Sequence, residues 1–222
     1  GAVSPSNVSH ANVPEQPGEH PFVAHPHRTL LAMSIPMIGS LIAEPLTGVV
    51  DSLLVATLGT TPLAALGIAV PLLSLLLFAF NFLSIGTQTL VANALGAGQR
   101  ERAREVAGLA VLLGLGLGFA LAFVGTATAE TAAGWMGARG PALDGAVTYL
   151  DIRLLGAPAV LCTIAAFGAL RGVQDIRTPL WIAVAMNALN LVLDWTLIFG
   201  IGPFPRLELA GAAWASTVSQ WL

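Results

Sequence analysis

The chain has 222 residues, of which 55% are hydrophobic and only 9% charged, with a mean hydropathy of +0.80 and a formal net charge of −3. Soluble domains carry about 25% charged residues, so this balance excludes an ordinary soluble domain, and the thinly spread charge leaves no footprint for nucleic acid. All nine positive charges are arginine, which reads as composition bias, and the single cysteine, Cys162, has no partner for an internal disulfide.

Residues 1–27 read as a disordered cytoplasmic tail. They are rich in proline and polar residues and hold all four histidines, His10, His20, His25 and His27. Their spacing fits no metal-ligand pattern, and the composition is that of a solvated segment. The start is polar, without the basic-then-apolar order of a cleavable signal peptide.

Six apolar spans follow. They are predicted at about Thr29–Leu58, Leu63–Leu95, Val106–Ala129, Ala146–Leu170, Pro179–Gly200 and Leu209–Leu222. A crossing helix needs about 20 residues, so the sixth is read as incomplete and the chain as a fragment ending inside it. Pro36 and Pro45 interrupt the first span and Pro71 the second, as kinks that shape a cavity. Arg28, Arg100, Arg102, Arg104, Arg171 and Arg177 fall on one side, against Arg139 and Arg206 on the other, with Arg153, inside the fourth span near its outer end, open to being counted with the latter. That bias places the N-terminus in the cytoplasm.

Two aspartates stand inside these spans, where a carboxylate costs several kcal/mol by some scales and far more by others. Asp51 is seven residues before Leu58 and Asp194 six before Gly200, depths of about 10 Å and about 9 Å below the same face. Matching depth is the condition for one shared site. Asn190 is one turn before Asp194, and Glu44 two turns before Asp51, each on the same helix face. Carboxylate and amide oxygens suit a proton or a hard cation such as Na⁺. No basic residue is expected at this depth, so the pair is expected to hold a proton or cation near neutral pH, as a coupling site must. Pro45, next to Glu44, also allows a purely structural kink there. Asn187 adds a further polar group to the fifth span. No Ser–His or Cys–His pair occurs in the spans, so the protein is not read as an enzyme.

The stretches AEPLTGVVDS at Ala43–Ser52, FNFLSIGTQTLVANALGAG at Phe80–Gly98, ALRGVQDIRTPL at Ala169–Leu180 and GAAWAS at Gly211–Ser216 resemble, in order, segments of the multidrug and toxic compound extrusion (MATE) transporters, DinF-like branch. The resemblance implies an all-α polytopic membrane protein with two six-helix lobes around a central cavity, of which this chain matches the N-terminal lobe. It implies an antiporter in a bacterial inner membrane that exports drug-like or organic cationic compounds in exchange for H⁺ or Na⁺. No cofactor is implied. The partners are the lipid bilayer, a small amphipathic or cationic substrate and the missing C-terminal lobe, with no nucleic acid. The family's first-helix aspartate falls on Asp51, its fifth-helix Asn and Asp on Asn190 and Asp194, and its sixth-helix hydroxyl on Ser216, with Thr217 the neighbouring candidate. The family position before the kink proline fits Glu44. The cation-coupling set is therefore Asp51, Asp194, Asn190, Ser216 and Glu44, and Asn187 and Thr217 are assigned to the substrate cavity. The alternatives are a non-transporting membrane subunit or degenerate half-transporter, and a lipid-precursor flippase of the same superfamily. A flippase would carry deep arginines for a pyrophosphate headgroup, and the spans are read as offering none.

Overall fold

The computed structural model describes His27, Ser34, Ile38, residues 48–201 and residues 205–222. The tail up to Pro26, the kink prolines Pro36 and Pro45, and Glu44 lie outside the described residues. Among the described residues the protein is helical, with no strand. The described end of the first helix, α1, covers residues 48–56. It is followed by α2 (Thr60–Phe78), α3 (Asn81–Gly96), α4 (Arg100–Trp135), α5 (Pro141–Leu154), α6 (Ala157–Gly172), α7 (Arg177–Phe199) and α8 (Glu208–Trp221).

Three helical paths among the described residues have the length and apolarity to cross a membrane: Thr60–Gly96, Arg100–Trp135 and Arg177–Phe199. The bent pair α5–α6 makes a fourth. The first path, expected as one helix, tightens where α2 meets α3. There Phe80 N–H bonds to the Leu77 carbonyl and Leu83 N–H to the Phe80 carbonyl, both three residues back.

The packing inverts that of a soluble protein. Phe123, Trp135 and Trp181 point outward, 78%, 86% and 70% exposed, whereas Ala65, Ala133, Ala165 and Ala212 are fully buried. Lipid is as apolar as leucine, so helices in it associate through close backbone approach at small residues. α4 lies on α6 in this way. A Cβ on Gly114 would stand 2.8 Å from the Leu161 carbonyl oxygen, and one on Gly118 would overlap the Pro158 backbone. Gly168 brings α6 onto α3 at Ser84, and Gly211 brings α8 onto α7 at Leu197.

The expected single helix Ala146–Leu170 is instead two helices, beginning at Pro141 and bent by 51° across Leu155 and Gly156. The cause is Pro158, which has no N–H for the Leu154 carbonyl four residues back and whose ring crowds that turn. Backbone groups freed inside a membrane must find other partners. α8 supplies two: the Thr217 hydroxyl donates to the Ile152 carbonyl at 3.0 Å, and the Trp221 indole N–H to the Leu155 carbonyl at 3.1 Å.

The segment Arg171–Thr178 ties helix ends together. The Asp175 carboxylate accepts from the backbone N–H groups of Arg177 and Thr178 at 3.1 and 3.0 Å and from the Thr178 hydroxyl at 2.5 Å, capping α7. Arg171 donates to Ser84 Oγ at 3.3 Å, tying the end of α6 to α3. The Thr178 hydroxyl, then the backbone N–H groups, hold the Asp175 carboxyl below the usual carboxylate range. A lowered folded-state value means that the cap stabilises fully above the unfolded-state value and is lost as pH falls through the folded one. Asp175→Ala is therefore expected to lower the melting temperature near neutral pH, and the gap to the parent protein should close on acidification. Thermal melts in detergent across pH check this; a gap independent of pH would count against the cap.

Candidate functional site

Four helices bring polar side chains to one buried place. α1 contributes Asp51, 9% exposed, and α7 contributes Asp194, fully buried, with Asn190 one turn before it. α8 contributes Ser216 and α5 contributes Tyr149, both buried. The Asp51 and Asp194 carboxyls lie within hydrogen-bonding reach of each other. The Asn190 amide is oriented so that its nitrogen donates to Asp194 Oδ2 at 3.3 Å while its oxygen accepts from Ser216 Oγ and Ser216 N–H, each at 3.2 Å. In the opposite orientation the amide would turn its oxygen toward the carboxylate and only the contact to Ser216 Oγ would remain.

Two carboxylates in contact repel unless a proton or cation lies between them. Asp51 Oδ1 and Asp194 Oδ1 are buried and have no partner among the described residues. Buried polar atoms ordinarily have partners, so each exception needs a reason. The arrangement can accept one proton or one small hard cation, with carboxylate and amide oxygens as its donor set.

The structure brings together Asp51, Asp194, Asn190 and Ser216 of the expected set. Glu44 lies outside the described residues. Thr217, 3% exposed, spends its hydroxyl on the Ile152 carbonyl. Asn187 is half-buried on α7. A cavity of 560 Å³ opens between α6, α7 and α8, with Cys162, Met186, Leu189, Gln220 and Trp221 in its wall. Neither Asn187 nor Thr217, both expected on the substrate cavity, belongs to that wall.

The expectation that no basic residue stands at the depth of the acids is corrected. Arg153 lies close enough to Asp51, Asp194 and Tyr149 for its charge to act on all three, although it forms an ion pair with neither acid. The reason is the earlier start and end of α5, Pro141–Leu154, which puts Arg153 about three turns into that helix, in its last turn next to the break. Tyr149 was also missed. It is the only tyrosine in the chain and lies one turn before Arg153 on the same face, a spacing that the sequence displayed.

Crossing-length apolar helices, outward-facing large side chains and an inward-facing acid cluster define a polytopic integral membrane protein. The chain belongs to the MatE family, whose model matches residues 36–196. It is 33% identical over 202 residues to the DNA damage-inducible protein F of Escherichia coli, covering 90% of this chain and 43% of that protein. It is 32% identical over 195 residues to a FAD transporter of Shewanella oneidensis, covering 88% and 43%. A crystal structure of MATE in the bent conformation matches it with a TM-score of 0.81 at 29% identity, over 88% of this chain and 43% of that one. The chain thus spans less than half the length of these relatives.

Proposed function

We propose that this chain forms one lobe of a secondary active antiporter, in which a proton or Na⁺ held between Asp51 and Asp194 drives export of a small amphipathic or cationic compound. One observation carries the reading: two buried carboxyls, from α1 and α7, meet with one oxygen of each left without a partner among the described residues. Asn190 and Ser216 fix the orientation of the Asp194 carboxyl. Arrival of the cation removes the repulsion between the acids and lets α1 and α7 draw together, biasing the lobe toward the substrate-releasing shape. Family membership supports transport rather than catalysis. The relative described as a FAD transporter brings a second substrate class, an anionic dinucleotide, into the same assay.

The test is transport by the protein as its gene encodes it, reconstituted in proteoliposomes with imposed pH or Na⁺ gradients. Release of a fluorescent organic cation, or of FAD, should accelerate with one of the two gradients and stop when an ionophore collapses it. Movement of neither substrate under either gradient would overturn the antiporter reading in favour of a non-transporting subunit.

A further inference from the structure

The Arg153 side chain is left over by this account. It occupies the last turn of α5, half-buried, within range for its charge to act on the acid pair. Its Nη1 donates to Gln220 Oε1 on α8 at 2.8 Å, yet its Nε is buried with no acceptor among the described residues. The unmet atoms of the cluster are complementary: one guanidinium N–H against Asp51 Oδ1 and Asp194 Oδ1. Arginine keeps its charge under all ordinary conditions and pairs with carboxylates through a planar fork. Gln220 lies in the wall of the 560 Å³ cavity, and Gly156 makes room for it, since a Cβ there would come within 3.0 Å of Gln220 Oε1.

We propose that Arg153 is a mobile internal counter-ion of the Asp51–Asp194 site, latched to Gln220 while the site holds its cation and drawn to the carboxylates when the cation leaves. The proposal rests on the antiporter reading. With one proton on the acid pair and one positive charge on Arg153, the cluster is neutral. When the proton departs, two ionised carboxylates stand against one positive charge that is held off at Gln220, in a low-dielectric interior. The guanidinium, whose charge already acts on both acids, then swings to their free oxygens and gives up Gln220. Because Gln220 is part of the cavity wall, emptying the ion site alters the cavity through one side-chain exchange.

The other charges around Arg153 do not compete. Of the helices packed on α5, α2 carries no titratable residue, and the glutamates of α4 and α8, Glu101, Glu105, Glu130 and Glu208, are exposed. Asp151, on α5 itself, is two residues from Arg153 and so faces elsewhere on the helix. Among the described residues, the buried titratable groups on which the guanidinium charge acts are Asp51, Asp194 and Tyr149.

The proposal is tested by the pH dependence of gradient-driven efflux in proteoliposomes, using the protein as encoded. Arg153→Gln removes the charge, and the midpoint of the pH profile should move to higher pH by about one unit or more, the effect of losing an adjacent opposite charge. Arg153→Lys keeps the charge and should stay near the parent profile. Gln220→Leu cuts the latch but leaves the charge free to reach the acids, so its midpoint should move to lower pH. A packing defect would not produce shifts of opposite sign, and Gln220→Leu remains informative if Arg153→Gln fails to fold. Unchanged midpoints in well-inserted Arg153→Gln and Gln220→Leu, with efflux still lost in Asp51→Asn, would overturn the counter-ion and leave the antiporter reading standing. Coupled efflux surviving in Asp51→Asn would overturn the antiporter reading itself.

Discussion

Asp51→Asn is expected to reduce gradient-driven efflux to the passive leak while the protein remains inserted and folded. Asparagine matches aspartate in size and polarity, so the packing of α1 near Val55 is preserved. What changes is the logic of the pair. The amide introduced by this substitution can donate to the Asp194 carboxylate with no proton or cation present, so the contact between α1 and α7 ceases to depend on occupancy. The free energy that links ion binding to substrate release then disappears. Coupling free energies are typically on the order of 1–3 kcal/mol, so the loss should read as a drop of about 5–150-fold in gradient-stimulated efflux. The measurement is efflux at matched amounts of inserted protein, with and without the gradient. Parent-level stimulation in the variant would remove Asp51 from the coupling site.

Gly118→Val is expected to abolish most folded protein, whereas Gly116→Val, the same substitution two residues earlier, should be tolerated. At Gly118 an added Cβ would overlap the backbone of Pro158, and backbone cannot move aside as a flexible side chain can. At Gly116 nothing lies within 4 Å. Overpacking ordinarily costs about 1–3 kcal/mol and occasionally more. Here the contact is the one that seats α4 against α6 at the start of the bent helix pair's second half, so the cost should reach or exceed the top of that range. Both variants carry the same change in helix propensity, which therefore cancels in the comparison. Folded yield and thermal melting in detergent read the outcome; equal losses at both positions would show that propensity, not the helix contact, controls stability.

Composition and hydropathy alone determined that this is a helical membrane protein, because a bilayer admits only chains whose backbone is satisfied internally and whose surface is apolar. Sequence likewise singled out Asp51 and Asp194, since charged groups in such a surface are costly enough to stand out; the helical period placed Asn190 over Asp194, and Ser216 came from the family resemblance alone. The capping role of Asp175 was also open to reading, because it depends on atoms within three residues. The contact between Asp51 and Asp194 was not, since equal depth says nothing about which way two helices face. Nor was the position of Arg153. It depended on where α5 begins, on the break that Pro158 imposes, and on α8 folding back so that Thr217 and Trp221 satisfy the carbonyls at the break while Gln220 holds the guanidinium. Gln220 is separated from Arg153 along the chain by 67 residues, and their meeting is set by helix packing through glycine and alanine contacts, for which local periodicity carries no signal.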